Sequence, residues 1–192
     1  MTRGPAVMPE PDLTALAAAA AAGDRDALTD LIRATQHDVL RFLTPLSSHG
    51  DAEDLAQETY LRAVRALPDF AGRSSVRTWL FAIARHVAAD AVRLAGRRPR
   101  AASLPDWQAT ADAVAPQQSR FEEQHALQDL LAGLDPDRRE AFVATQIAGL
   151  SYAEAAEVCD CPVGTIRSRV ARAREDLVAA VSDTRPEQRR IG

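Results

Sequence analysis

The feature that most constrains the fold is a helical spacing of apolar residues over most of the chain. Over about 12–97, and again from about residue 120, apolar side chains recur at steps of three and four, the period of an amphipathic α-helix. No stretch shows the alternation of apolar and polar residues that predicts a β-strand. Between these blocks, residues 96–119 lack helical periodicity and contain three prolines. The pattern predicts an all-α fold of two small helical domains joined by a flexible linker.

Breaks in the periodicity set the domain boundaries. We expect a disordered N-terminus over 1–11, a first helical domain over 12–97, a linker over 98–119, a second helical domain over 120–183 and a flexible tail over 184–192. Asp12 is predicted to begin the first helix, and Asp135 with Pro136 to cap and open a later one. Because the linker composition cannot bury enough surface to order itself, we expect limited proteolysis to release two helical pieces.

The segment CPVGTIRSRVARARE, residues 161–175, carries four arginines on a predicted amphipathic helix. Its apolar stripe consists of Val163, Ile166, Val170, Ala173, Leu177 and Val181. The opposite side presents Ser168, with Arg167, Ala171 and Arg172 beside it and Thr165 and Arg169 further round. Small residues flanked by arginines form a face that can approach a partner closely.

A shorter predicted helix precedes this segment. Ser151 and Glu154 have the spacing of a capping box, which predicts a helix that runs to about Val158, and Cys159–Cys161 then form a turn. A short helix, a tight turn and a second helix with a polar outer face predict a helix-turn-helix, whose second helix enters the DNA major groove. There, arginine pairs with guanine or contacts phosphates. A helical hairpin with a solvated arginine face fits the same pattern, so both interpretations remain open at this point.

The first domain carries an acidic surface followed by a basic one. In GDAEDLAQETYLRAVRALPDF, the side chains of Asp54, Gln57 and Glu58 are predicted to lie outside the core. Helix-dipole complementarity explains acids near a helix start, and Glu58 with Arg62 has the spacing of an ordinary ion pair. The next segment, FAGRSSVRTWLFAIARHVAADAVRLAGRRPR, holds seven arginines against one aspartate. Its tryptophan either stacks on an unpaired base or packs in the core.

Composition narrows the classes of protein. The net charge is −4 although all 23 basic residues are arginines, and no run reaches the roughly 18–20 apolar residues of a membrane helix. Cys159 and Cys161 are too close to staple a fold, which points to a reducing cytoplasm, although a C-x-C pair can also bind metal or sense redox state. The four histidines have no metal-ligand spacing and no phosphate loop is present. We therefore expect neither enzyme activity, nor a cofactor, nor a bound metal.

Three stretches resemble the conserved boxes of extracytoplasmic-function (ECF) sigma factors, small sigma subunits of bacterial RNA polymerase. They are DAEDLAQETYLRA, SSVRTWLFAIARHVAADAVR and LSYAEAAEVCDCPVGTIRSRVARAREDL. The resemblance implies that the first domain is sigma region 2 and the second is region 4. It also implies an alternative sigma factor that binds core polymerase, recognises −35 and −10 promoter elements, and directs promoter-specific initiation, including melting. The implied partners are core RNA polymerase, promoter DNA and an anti-sigma factor.

The same resemblance assigns site residues. It implies that Asp54, Gln57 and Glu58 contact the clamp helices of the largest polymerase subunit. The flap region of the polymerase is implied as a further contact of the protein, without assigned residues. The implied −10 contacts are Arg73, Ser74, Arg77, Trp79, Arg85, His86 and Arg93. The implied −35 contacts are Thr165, Arg167, Ser168, Arg169, Ala171 and Arg172. His86 stands where many members have asparagine, which leaves the −10 base preference open because an imidazole places its donor and acceptor differently from an amide.

Two other classes fit part of the sequence. A stand-alone helix-turn-helix regulator explains the second domain but leaves the acidic box and the Arg/Trp stretch unexplained. An anti-sigma factor or adaptor is expected to inhibit core polymerase, whereas a sigma factor is expected to support transcription.

Overall fold

The computed structural model describes residues 11–47, 51–97 and 126–183, and within these ranges all regular secondary structure is helical. The described part of the N-terminal unit has four α-helices: α1 (Leu13–Ala21), α2 (Arg25–Leu43), α3 (Ala52–Ala66) and α4 (Val76–Arg97). The C-terminal unit has α5 (126–132), α6 (Pro136–Phe142), α7 (Tyr152–Val158) and α8 (Val163–Asp183). The predicted all-α fold is confirmed. The predicted N-terminus, linker and tail lie almost wholly outside the described residues.

Side-chain caps determine where several helices begin. The carboxylate of Asp12 accepts hydrogen bonds from the backbone N–H groups of Thr14 and Ala15, as predicted for the first helix. Asp135 does the same for the second and third residues of α6, which opens with Pro136. Each bond satisfies an N–H group that has no partner inside its own helix. These starts were predictable because a cap and its helix are neighbours in sequence.

The helix-turn-helix is present, with its first helix as predicted. The Glu154 N–H donates to Ser151 Oγ at 3.2 Å, and the Ser151 N–H donates to Glu154 Oε2 at 2.8 Å, so the capping box is complete. The turn passes through Asp160 with φ of 49°, a left-handed conformation that aspartate tolerates better than most residues. Helix α8 begins at Val163, and the carbonyl of the preceding Pro162 accepts from the Ile166 N–H at 3.2 Å.

Replacing the capping serine should destabilise the whole chain measurably. We expect Ser151→Ala to lower the free energy of unfolding by about 1 kcal/mol, because the Glu154 N–H loses its acceptor at the start of α7. Urea denaturation followed by circular dichroism measures the difference. Thr29→Ala is the matched control, since this exposed hydroxyl bonds only to the Arg25 carbonyl within α2. Equal stability of the two variants would contradict the capping role.

The two units pack against each other, which the sequence analysis did not indicate. Phe42 of α2 stacks on Phe81 of α4 with ring centroids 4.8 Å apart, and both rings are buried. The same core continues into the C-terminal unit through Ala144, Ala148, Leu150, Ala155, Val158, Ile166 and Val170. Small residues on both sides, such as Ala84 and Ala155, let the helices approach closely. The pattern showed which faces are apolar, but it did not show which faces meet.

Candidate nucleic-acid and protein interfaces

The predicted acidic surface lies on α3. Asp54 and Gln57 are exposed, and Glu58 is half-exposed beside Arg62. Arg62 Nε donates to Glu58 Oε1 at 2.7 Å, so the ordinary ion pair that the spacing suggested is present. Arg62 Nη1 also donates to Asp90 Oδ2 of α4 at 2.7 Å. The acidic surface is therefore fixed to α4 by an arginine that bridges the two helices.

Asp90 is the centre of this small charge network. Hydrogen bonds from Arg62 and then from Arg93 hold the pKa of the Asp90 carboxyl below its ordinary value. Arg93 is 62 % exposed, so its guanidinium remains at the surface although it is paired with Asp90. Among the residues predicted to contact the −10 element, Arg93 is thus available only together with a neighbouring carboxylate. The bond between Arg62 and Asp90 joins residues 28 positions apart, and no local pattern signals it.

The loop before α4 and the first turn of α4 form a second surface. Arg73 is exposed and Ser74 is half-buried. Ser75 Oγ accepts from the Thr78 N–H at 3.0 Å, which fixes the start of the helix. Trp79 is half-buried, with its ring centroid 4.8 Å from that of Phe70. Of the two alternatives for this tryptophan, the structure shows the packed one, with the residue half-buried.

The remaining predicted −10 residues lie on different sides of α4. His86 is exposed, and its Nδ1 lies 2.8 Å from the Ala82 carbonyl. Because a carbonyl only accepts, Nδ1 carries a proton in this contact. Arg77 and Arg85 instead point towards the C-terminal unit, where each donates a hydrogen bond at 2.6 Å. The structure therefore does not bring all the predicted residues together on one open face.

Helix α8 presents the face that the sequence predicted. Ile166, Val170 and Ala173 are buried, whereas the opposite side is exposed at Arg167, Ser168, Ala171 and Arg172. Ser168 Oγ donates to the Thr165 carbonyl at 2.9 Å, so this hydroxyl lies against its own helix. Two arginines and two small side chains thus form an open, positively charged strip. Its size and chemistry suit the floor and walls of a DNA major groove.

Thr165 and Arg169, predicted at the edge of this strip, are half-buried. Arg169 pairs with Asp137 of α6, and its Nη1 lies 3.6 Å from Cys161 Sγ. A second ion pair, from Arg138 Nη1 to Asp176 Oδ2 at 2.6 Å, also ties α6 to α8. Some arginines of the C-terminal unit therefore orient α8 within the protein, while Arg167 and Arg172 project from it.

The two cysteines of the turn differ in environment. Cys159 is buried and Cys161 is half-buried, and both are free thiols. Burial raises the pKa of the Cys159 thiol to about 12, and the nearby Glu140 carboxylate adds to the effect. In the ranges that the structure describes, no cluster of three or more histidine, cysteine or acidic side chains is arranged to hold a metal ion.

This difference predicts selective alkylation. At about pH 8 the Cys159 thiol is ionised in roughly one molecule in 10⁴, and it is also shielded from solvent, so iodoacetamide should modify Cys161 at least about 100-fold faster. Mass spectrometry of peptides from the labelled chain measures both rates. In urea the two thiols should react at similar rates, which is the control. Equal rates in the folded chain would show that this turn opens freely.

None of the helices that the structure describes has the length and apolarity needed to cross a membrane. The surface that the structure describes includes an acidic face on α3, a basic region around the start of α4, and a basic strip on α8.

Family comparisons cover both helical units. The family described as Sigma-70 region 2 matches residues 31–98, and the family described as Sigma-70, region 4 matches residues 124–177. The ECF RNA polymerase sigma factor SigC of Mycobacterium tuberculosis is 53 % identical over 169 residues, which cover 87 % of this chain and 90 % of that protein. The ECF RNA polymerase sigma-E factor of Escherichia coli is 34 % identical over 174 residues, with 81 % and 86 % covered.

Two solved structures share the arrangement of helices. CnrH, solved in complex with the cytosolic domain of CnrY, is 28 % identical with a TM-score of 0.70, and the match covers 88 % of this chain and 96 % of CnrH. The sigma factor RpoE of Bartonella quintana, solved with the anti-sigma factor NepR, is 27 % identical with a TM-score of 0.63, covering 83 % and 98 %. All four comparisons agree over both helical units.

Proposed function

Because this chain belongs to the extracytoplasmic-function sigma factors of bacterial RNA polymerase, we propose that it recognises promoters with two separate DNA-binding surfaces while a third surface holds the polymerase. As an alternative sigma factor it acts in transcription initiation. The C-terminal unit contacts the −35 duplex through α8. The N-terminal unit captures the opened −10 element around the start of α4 and binds core polymerase through α3.

The observation that carries this proposal is the exposed strip of α8. A recognition helix needs a face that is both open and held rigidly, and α8 has its apolar side buried while Arg167 and Arg172 project on the other side. Arginine can read guanine by two parallel hydrogen bonds, and the small side chains of Ser168 and Ala171 allow the helix to lie close to the bases. The ion pair between Arg138 of α6 and Asp176 of α8 holds the two helices together.

The surface around α4 suits unpaired bases better than a duplex. Arg73 and His86 are exposed there, and the half-buried Trp79 keeps part of its ring open. Bases inside a duplex are stacked and inaccessible, so an opener needs a separate site for the extruded strand. With Nδ1 of His86 donating to the Ala82 carbonyl, an unprotonated Nε2 of this exposed side chain would offer an acceptor to the exocyclic amine of a base. Binding of two elements by two units also fits the region 2 and region 4 matches.

The partner assignments follow from charge and from relatives. The acidic face of Asp54, Gln57 and Glu58 is the contact for the clamp helices, because a DNA backbone would repel it. CnrH was solved with the cytosolic domain of CnrY, and the Bartonella RpoE was solved with the anti-sigma factor NepR. A binding partner of the same kind for this chain is part of the proposal.

Run-off transcription tests the function directly. Purified core polymerase and the full chain are incubated with a library of templates whose promoter positions are randomised, and the transcripts are sequenced. We expect transcripts only when the chain is present, from templates enriched in two sequence elements at a fixed separation. Inhibition of core polymerase, or transcripts without any enriched sequence, would contradict the proposal.

Removing one arginine of the strip should relax sequence discrimination. We expect Arg172→Ala to weaken binding of holoenzyme to its preferred promoter by about 1–3 kcal/mol and to relax the preference at one −35 position. Arg174→Ala is the matched control, because Arg174 lies on the same helix but donates to Gln146 Oε1 at 2.8 Å. Competition between templates with single −35 substitutions measures the effect. If the affinity for all templates falls equally and the salt dependence of binding also falls, Arg172 contacts a phosphate instead of a base.

A further inference from the structure

Asp90 is the single acidic residue of the arginine-rich helix α4, and the proposed function gives it no role. Each of its two carboxylate oxygens accepts a hydrogen bond from a different arginine. Oδ2 accepts from Arg62 of α3 at 2.7 Å, and Oδ1 accepts from Arg93 of α4. The Asp90 side chain is 46 % exposed, so this carboxylate lies at the surface. Two arginines on two helices restrict its orientation more than a single ion pair would.

Arg62 extends this contact to the acidic face of α3. Its Nη1 donates to Asp90, and its Nε donates to Glu58 Oε1 at 2.7 Å, so one guanidinium joins two carboxylates on different helices. Hydrogen bonds to Asp90 and then to Glu58 raise the pKa of Arg62 above its ordinary value. The guanidinium is therefore charged and bound on two sides, although the Arg62 side chain is 39 % exposed.

The core below this bridge fixes the distance that Arg62 spans. Ala56 of α3 and Ala84 and Ala88 of α4 are buried in the same cluster. Their small side chains allow the two helices to approach closely, and buried packing of this kind resists changes in separation. Asp90 follows Ala88 by two residues, on the part of α4 that this packing holds. The carboxylate of Asp90 is thus a firm anchor for a side chain of the neighbouring helix.

We propose that Asp90 is a positioning residue for polymerase binding, which acts through Arg62 to hold the Glu58 carboxylate in the orientation that a basic group of core polymerase meets. The inference rests on the proposed function, since it concerns the acidic face of α3. Arg62 occupies Oε1 of Glu58, which leaves Oε2 as the oxygen for the partner. A glutamate side chain that is ordered before binding loses less rotamer freedom when the partner arrives.

Loss of the Asp90 charge should leave Glu58 paired but mobile. Arg62 would then be held mainly by Glu58 at the i,i+4 spacing, and exposed pairs of this kind contribute little to holding either side chain in place. Both side chains would have to be ordered when polymerase binds, and this ordering opposes association. A residue of α4 should therefore affect a protein interface that α3 forms.

Titration of the labelled full-length chain with core polymerase, followed by fluorescence anisotropy, measures this role. We expect Asp90→Asn to bind core polymerase about fivefold more weakly than the wild-type chain, because the effect of one exposed ion pair is at most about this factor. Asp90→Glu keeps the charge and should recover most of the lost affinity. Asp30→Asn is the matched control, since it removes one negative charge from an exposed ion pair within α2. The control should bind as the wild-type chain does.

A double-mutant cycle tests the route through Arg62. In an Arg62→Ala background, Asp90→Asn should change the affinity for core polymerase by less than about twofold, because the two residues act as one unit. A fivefold loss that persists in this background would show that Asp90 acts on polymerase without Arg62. That result, or wild-type affinity in Asp90→Asn, would overturn the inference.

The variant Glu58→Gln distinguishes failure of this inference from failure of the proposed function. If Glu58→Gln weakens binding of core polymerase while Asp90→Asn does not, the acidic face stands and only the positioning role of Asp90 is wrong. If both variants bind core polymerase as the wild-type chain does, the proposed contact through Glu58 is wrong, and the positioning role is wrong with it.

Discussion

A chain carrying both Gln57→Ala and Glu58→Arg should bind core RNA polymerase roughly 100-fold more weakly than the wild-type chain. Both side chains belong to the acidic face of α3, and the substitution places a positive charge where the proposal requires a negative one. Like charges placed against each other at a protein interface cost several kcal/mol, whereas an exposed pair within one helix contributes little to folding. Fluorescence anisotropy of the labelled chain, titrated with core polymerase, measures the affinity.

The structure indicates that the double variant will still fold. The Glu58 and Arg62 side chains are 42 % and 39 % exposed, and Arg62 keeps Asp90 as a partner when Glu58 is lost. Circular dichroism should therefore show unchanged helicity. Asp30→Arg is the matched control, because Asp30 is an exposed acid of α2 that pairs with Arg33 in its own helix. Wild-type affinity in the double variant would remove α3 from the polymerase interface.

Features of the fold that depend on neighbouring residues could be predicted from the sequence. The capping box of Ser151 and Glu154 and the N-cap at Asp135 each involve residues within one helical turn, and the buried part of the α8 stripe, from Ile166 to Ala173, spans two turns. Their physics is local, because a side chain satisfies a backbone N–H two or three positions away. The exposed strip of α8 followed from the same reasoning, since burying one face of a helix exposes the other. The end residues of the predicted stripe, Val163 and Val181, are exposed.

Features that join distant parts of the chain could not be predicted in this way. The bonds from Arg62 to Asp90 and from Arg85 to Glu140 span 28 and 55 positions. Each residue belongs to a charged pattern that fits several partners, so the sequence alone did not show which pair forms. The π-helical turn at Val143–Ile147 was also missed. It extends α6 with helical residues, and periodicity does not separate it from an ordinary helix end.

The internal pairs also explain how an arginine-rich chain can be a weak DNA binder. Arg169 is held by Asp137, Arg138 by Asp176 and Arg85 by Glu140. Each pairing removes a positive charge from the set that can displace counterions from a phosphate backbone. The net charge of −4 adds a general repulsion of duplex DNA. Exposed arginines remain near the start of α4 and on α8, and others lie on α2 and α3, namely Arg25, Arg33, Arg41 and Arg65.

Sequence-specific promoter binding should therefore require core polymerase. At about 0.15 M salt, where charges are screened beyond about 8 Å, we expect the holoenzyme to bind a promoter duplex at least about 100-fold more tightly than the free chain. In the proposed function core polymerase covers the acidic face of α3, and it would hold the two units at a fixed separation, so that two weak sites act as one bivalent reader.

Mobility shift with the promoter recovered from the randomised library measures both affinities, and a duplex with a scrambled −35 element is the control. The free chain should bind the two duplexes equally weakly, and the holoenzyme should prefer the promoter. Tight binding of the promoter by the free chain at this salt would instead support a stand-alone regulator, because α8 would then suffice for recognition. Since α8 exposes only Arg167 and Arg172 from its outer strip, two base or phosphate contacts are too few for that, and the second surface must contribute.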